Sequence, residues 1–247
     1  MRVLYLDIDS LRPDHLGCYG YHRNTSPTID ALAARGGRFE NLYASDTPCL
    51  PSRTAFFLGR PGTVTGVVNH GGEFADLAPA KDRSFRSEAG MDALAVLLRQ
   101  AGMRTCSISP FPNRHTAYQV WYGFDETHDT GKGGMENADE MFVPVERWLR
   151  VNGQGDGWFL HVNFWDPHTP YDTPEDFGNP FEGEDIEPWI TEDLLAAQNE
   201  SYGPHSATEV PGYDDRLPAA WRMGVGRIRN REEAKRHLDG YDAGIRY

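Results

Sequence analysis

The chain is 247 residues long, enough for one large α/β domain with a substantial core. Its formal charge is −13, and its basic residues do not cluster, which excludes the nonspecific nucleic-acid binding that rows of Lys and Arg support. Its three cysteines, Cys18, Cys49 and Cys106, contain no C-x-x-C pair, which argues against a disulfide framework or a zinc knuckle. No run approaches the roughly 18–20 apolar residues of a membrane span. The opening MRVLYLDIDS meets two carboxylates by position 9 and lacks the basic-then-apolar order of a secretory signal, so a cytoplasmic location and no membrane partner are expected.

In chain order, RVLYLDID (2–9) mixes β-formers with near-continuous hydrophobicity and ends in acids, the pattern of a buried parallel strand with a functional carboxyl tip. SPTIDALAARG (26–36) reads as a helix with a Ser cap, an early Pro and a closing Gly. In TPCLPSRTAFFLGRP (47–61), Pro51 suits a first helical turn, Ala55 to Leu58 look like core, and Gly59 with Pro61 is a stop signal. GMDALAVLLRQAG (90–102) predicts another helix and MRTCSIS (103–109) a strand. ENADEMFVPVERWLRV (136–151) predicts a helix interrupted or bounded by Pro144. GWFLHVNFWDPHTPY (157–171) begins as a buried strand and breaks into a Pro-rich loop. The acidic, Pro-rich stretch 172–220 reads as a surface excursion, a candidate substrate-side lid within a single domain spanning 1–247. REEAKRHLDGYDAGIRY (231–247) is a charged amphipathic helix without a stop signal, which reads as a truncated end. Strands alternating with helices predict an α/β fold with a mainly parallel sheet, whose ligands gather outside the carboxyl ends of its strands.

Four places on that edge offer chemistry. Asp7 and Asp9 alternate onto one side of the first strand, where both could face one cation or Asp9 alone could reach past the tip; as plain structure, these acids would cap turns or pair with Arg12. Cys49 starts a helix whose unpaired N–H groups favour an anion, a thiolate or a bound oxyanion, and Arg53 follows one turn on with a fork suited to sulfate, phosphate or carboxylate. The plain alternative is a small buried hydrophobe with a solvated Arg behind it. His168, braced by prolines after Asp166, is a candidate general acid or ligand. Arg114 and His115 follow another strand and are either an anion site or an ordinary polar loop. His161, inside an apolar strand, reads as a satisfied core histidine.

CLPSRTAFFLGR resembles the sulfatase signature C-x-P-S-R followed by an apolar helix and L-T-G-R, with Leu58 where the Thr usually stands. DSLRPDHLGCYGYHRNTSPTIDALAARGGRFENLYA is similar to the sulfatase N-terminus, and FLHVNFWDPHTPY resembles the family's H/W-D-P-H-x-P-Y segment. The resemblance runs from residue 2 to about 175 and implies an alkaline-phosphatase-like fold, a mainly parallel sheet with helices on both faces, of which the C-terminal part is missing. It further implies that Cys49 is a precursor, converted to formylglycine by a formylglycine-generating enzyme. One hydroxyl of the aldehyde hydrate, activated by a divalent metal, would attack sulfur, and the second would expel sulfate. Carried over by position, Asp9 matches a metal ligand, Arg53 the arginine that holds the formylglycine oxygens, and His168 the histidine near the transferred group. Asp7 is a further ligand candidate by geometry, and Cys49, once converted, another. Ca²⁺ is the metal first implied, with Mg²⁺ or Mn²⁺ as alternatives.

Three departures stand out. Ser10 replaces the second of two adjacent acids at the strand tip. SPFP (109–112) replaces G-K-W-H, leaving Arg114 and His115 as the nearest substitutes. The later D-H-G or D-N segment of the metal site does not occur. The expected activity is hydrolysis of a sulfate monoester, on a small molecule or a glycan. The alternatives are a phosphonate monoester or phosphodiester hydrolase of the same superfamily, and a non-catalytic remnant that only binds anions.

Overall fold

Strand β1 (Arg2–Ile8) forms where the apolar β-formers predict it, but it is not the buried strand expected. Among the described residues it lies at the edge of its sheet, with Leu4 45% and Leu6 43% exposed. It pairs in parallel on one side only, with β4 (Trp158–Phe164), placing Leu4 beside Leu160 and Asp7 beside Asn163. The computed structural model describes residues 1–78, 92–169, 171, 173–200 and 228–247. They divide into two units, each drawn from two stretches of chain: Met1–Asp9 with Phe39–Trp165, and Ser10–Arg38 with Asp166–Tyr247.

The first unit holds a four-stranded sheet, all parallel, in the order β1-β4-β2-β3, with β2 at Arg104–Ile108 and β3 at Glu126–His128. In chain order its helices are α2 (Cys49–Leu58), the single turn α3 (Gly62–Thr65), α4 (Leu94–Gln100), α5 (Phe111–His115) and α6 (Ala138–Asn152), the label α1 belonging to Pro27–Ala33 of the second unit. Alternation along β4 sorts the two layers. Trp158, Leu160 and Val162 join Met141, Val145 and Trp148 of α6 in one core. On the opposite face, the Phe57 ring of α2 lies 4.8 Å from the His161 ring, and Phe124 lies 6.1 Å from Phe159. Helices therefore cover both faces, as expected.

Two elements differ from the sequence reading. Strand β3 carries no periodic signal in three half-polar residues; it is recruited by pairing, with Cys106 beside Glu126 and Ile108 beside His128. Helix α6 runs through Pro144 without interruption. The missing Pro144 N–H would have bonded the Glu140 carbonyl in the first turn, and that turn is held from the other side by a capping box between Asn137 and Glu140. The predicted helix over 90–102 is α4; residues 90 and 91 lie outside the described residues.

The second unit contains α1, α7 (Glu192–Asn199) and α8 (Arg231–Arg246). Ser26 stands at the N-cap of α1, but its Oγ takes no helix N–H; it donates to Asp30 at 3.0 Å and accepts from the Gly17 N–H at 3.0 Å. The stretch 172–220 read as a surface excursion and candidate lid is in part core, since Ile186, Ile190 and Leu195 are buried with Ala234 of α8; its remainder over 201–220 lies outside the described residues. Asp242, fully buried on α8, accepts from Arg23 at 2.8 Å and Tyr21 at 2.7 Å and sits 2.6 Å from His15 Nδ1, so a charged network ties α8 to the stretch 10–38. No described helix is long and apolar enough to cross a membrane.

Candidate active site

The site grows from the end of β1. Asp9 continues the pairing beyond the strand, its N–H donating to the Phe164 carbonyl at 2.9 Å, and so Asp7 and Asp9 project to the same side. Between them lies Arg53 of α2. Its Nε and Nη2 donate to the two oxygens of Asp7 at 2.6 and 2.9 Å, and its Nη1 donates to Asp9 at 2.8 Å. The Asp7 side chain is 13% exposed, that of Asp9 2% and that of Arg53 9%, so one guanidinium offsets two carboxylates away from water. The Phe111 ring closes the assembly, 4.4 Å from the guanidinium carbon. Burial alone would push the Asp7 carboxyl up, but the hydrogen bond from His161 and the Arg53 charge outweigh it and hold the acid well below the usual carboxylate range. Arg12, considered as a partner of these acids, pairs instead with Asp14.

Cys49 begins α2 as predicted, and Gly59 ends it at φ 64°, a left-handed conformation that glycine adopts without penalty. Burial, then the nearby charge of Asp9, push the Cys49 thiol up to about 11 against the opposite pull of Arg53 and the helix-start N–H groups, which disfavours the thiolate considered for this position. The Cys49 sulfur lies 3.0 Å from Nε2 of His70, and the Leu50 N–H donates to that same nitrogen at 3.1 Å. The Cys49 sulfur and the Leu50 N–H thus converge on one ring nitrogen of His70.

Sequence reasoning passed over His70. It sits 21 residues from Cys49 in a loop with no telling spacing, and only its placement before Gly71 and Gly72 marks a loop that can approach a helix start closely. The His70 ring in turn lies 5.1 Å from that of His115. Nε2 of His115 is buried with no hydrogen-bond partner among the described residues. Burial first, then His70 and Arg114, push His115 down to about 4, so it is neutral at neutral pH. Arg114 lies with its guanidinium carbon 4.3 Å from the Trp165 ring and donates to the Gly133 carbonyl at 3.2 Å.

Five of the candidate residues, Asp7, Asp9, Cys49, Arg53 and His115, thus meet in the first unit with His70, and Arg114 adjoins them through His115. His168 belongs to the second unit, half-buried, its Nδ1 2.5 Å from the Thr169 carbonyl. His161 is the core histidine expected, fully buried, with Nδ1 2.9 Å from Ser107 Oγ and Nε2 3.4 Å from Asp7. The two strand-tip carboxylates are hard oxygen donors with lone pairs beyond those that Arg53 uses, a set that fits part of the shell of a hard divalent cation. Among the described residues no third His, Cys, Asp or Glu atom gathers tightly with them.

Chemically, the arrangement sets a helix start, a guanidinium and two imidazole rings around the Cys49 thiol. Human N-sulphoglucosamine sulphohydrolase is 30% identical over 156 residues, covering 62% of this chain and 29% of the relative. Human iduronate 2-sulfatase is 26% identical over 208 residues, covering 72% of this chain and 37% of the relative. The chain therefore spans about a third of the length of the curated relatives it matches. Among solved structures, phosphonate monoester hydrolase of Agrobacterium radiobacter aligns at a TM-score of 0.68 and 20% identity, over 99% of this chain and 56% of that one. BT4656 in complex with its substrate D-glucosamine-2-N,6-O-disulfate aligns at 0.67 and 13% identity, over 98% and 58%. Both speak for the fold. The family model described as Sulfatase matches residues 2–247, taking in the strand tip, the cysteine turn and both units, and on that evidence the chain belongs to the sulfatase family.

Proposed function

We propose that this chain carries the reacting half of a site that hydrolyses a sulfate monoester, with Cys49 as the residue converted to formylglycine. The observation that supports this most is the pairing of Cys49 at the first turn of α2 with Arg53 one turn later, its guanidinium anchored on both strand-tip carboxylates. A thiol that burial and Asp9 keep protonated is a poor nucleophile, so cysteine itself gives no account of catalysis here.

Replacing the sulfur by oxygen changes the chemistry of the same position. A hydroxyl at residue 49 would lie beside Nε2 of His70, which is proposed as the group that takes its proton in place of the Leu50 N–H. Arg53, held in place by Asp7 and Asp9, would present a pre-oriented guanidinium to an arriving oxyanion, with its charge shared among the three. Arg114 adds a second cation next to the pocket, and His115, neutral at neutral pH, offers a buried ring nitrogen for a hydrogen bond to the ester. His168 is proposed for the transferred group on the strength of its motif alone. Asp9 and Asp7, with the converted residue 49, would hold a divalent cation, Ca²⁺ first and Mg²⁺ or Mn²⁺ otherwise; bound there it would supply Lewis-acid charge. The names of the two human relatives point to a sulfated sugar as the ester, and a formylglycine-generating enzyme is the proposed processing partner.

The test is the mass of the tryptic peptide containing Cys49, from protein co-expressed with a formylglycine-generating enzyme, together with assays on an aryl sulfate and an aryl phosphonate. The expected result is a loss of roughly 18 Da at Cys49 and turnover of the sulfate in preference to the phosphonate. An unmodified thiol under those conditions would sink the mechanism. Preference for the phosphonate would move the chain to the other reaction of the superfamily.

A further inference from the structure

The sheet edge opposite β1 carries a second cluster, unrelated to the residues around Cys49. Cys106 on β2 and Glu126 on β3 are register partners on adjacent parallel strands, and His128 stands two residues beyond Glu126, so alternation directs all three to the same face. One ligating atom from each lies within 4.8 Å of the other two, and among the described residues no other trio of His, Cys, Asp or Glu comes so close. The carboxylate is already oriented. Arg104 Nε donates to Glu126 Oε1 at 2.6 Å, while Oε2 accepts from Trp148 Nε1 at 3.2 Å and faces His128 Nε2 at 3.7 Å. Cys106 is fully buried and supplies the floor; His128, its side chain 46% exposed, opens to solvent. Beside them runs a groove of about 470 Å³ between the strand edge and α6, bordered by Arg104, Val143, Trp148 and Asn152.

We propose that Cys106, Glu126 and His128 bind one Zn²⁺ ion, with the fourth position open to water in this groove. The donor set selects the metal. One thiolate sulfur, one imidazole nitrogen and one carboxylate oxygen suit a tetrahedral, borderline-soft cation, whereas Ca²⁺ and Mg²⁺ take oxygen shells. Charge balances as well: a thiolate and a carboxylate meet the two charges of the ion, and Arg104 stays bonded to the outer carboxylate oxygen as the group that fixes its orientation. Burial and Glu126 keep the empty-site thiol protonated, so the proton leaves as the metal binds. The two ends of the sheet's chemistry would then sort metals by hardness, oxygen donors at Asp7 and Asp9 and a mixed set at the β2–β3 edge.

The experiment uses the whole chain, stripped with a chelator and titrated with Co²⁺ as a spectroscopic stand-in. A thiolate-to-cobalt charge-transfer band with tetrahedral visible bands is expected at one equivalent, displaced by Zn²⁺. The band should persist in a Cys18→Ser, Cys49→Ser double variant and vanish in Cys106→Ser. His128→Ala, a change at an exposed position, should weaken Zn²⁺ binding more than about tenfold in competition with a chelating indicator. Absence of the charge-transfer band, its survival in Cys106→Ser, or unchanged Zn²⁺ affinity in His128→Ala would each overturn the site. If Cys106→Ser does not fold, the His128→Ala affinity decides alone.

Discussion

Arg53 has two duties that compete for one side chain. It neutralises Asp7 and Asp9 in a setting almost closed to water, and it is the cation nearest the start of α2. Removing it takes away the guanidinium that offsets two buried carboxylates, so Arg53→Ala should destabilise the fold by about 3–5 kcal/mol, read as a lower urea midpoint. Arg53→Lys should recover only part of that loss, because an ammonium cannot make the paired bonds to Asp7. His115 makes a different prediction. Its pKa falls from an ordinary value near 6.5 to about 4 in the fold, so below about pH 6.5 the unfolded chain takes up a proton that the folded chain refuses. Stability is therefore complete above that pH and is lost as the pH drops toward 4. In His115→Gln the fall in urea midpoint between about pH 7.5 and pH 5 should be smaller than in the unaltered protein; an equal fall would show that His115 is not the group responsible. The acids, the cysteine and the arginine were all legible as candidates at one sheet edge. Their mutual arrangement was not, because two alternating carboxylates suit a cation and a guanidinium equally well, and only the distance across the fold decides. His70 was illegible for the same reason: it is a neighbour of Cys49 in space and not in spacing.

At the scale of elements, the strongest sequence signals became the best-formed structure. β4 is buried along almost its whole length and α2 has a proline in its first turn and a glycine at its end, so there local preference and packing agree, whereas β1 forms as a strand but lies half-exposed at the sheet edge. β3 is the opposite case, three residues whose strand character comes wholly from β2 beside them. In α6 local rules collide, since Pro144 opposes the helix while the capping box and the buried row Met141, Val145 and Trp148 favour it. The row wins, and the cap matters more than usual because Pro144 removes a bond from the same turn. Asn137→Ala should accordingly cost about 1 kcal/mol or slightly more, measured by denaturant unfolding against the parent chain.

Viewed whole, the molecule places its strand-tip carboxylates, cysteine turn and two imidazoles in one unit and His168 in the other, each unit assembled from two separated stretches. The α/β class and its parallel sheet could be foreseen from the alternation of apolar runs and helices. The division at Asp9, Arg38 and Trp165 is only partly marked: Gly36 and Gly37 precede Arg38 and the Pro-rich loop follows Trp165, but Asp9 ends an apolar strand with no Gly or Pro adjoining it, and nothing local says which separated stretches join. The strand order has a consequence in time. β4 lies between β1 and β2, yet of the four described strands it is made last, so on the ribosome β1 has no strand beside it, and β2 only β3, until residue 164 has been synthesised. More than about a hundred residues separate Cys49 from that point, on the order of ten seconds at about 5–20 residues per second. In the finished fold Leu50, Pro51 and Arg53 are buried, closed to any enzyme that reads the motif as a linear string. During those seconds the same string is open, and the conversion proposed for Cys49 would fall within the interval that the topology of the sheet sets.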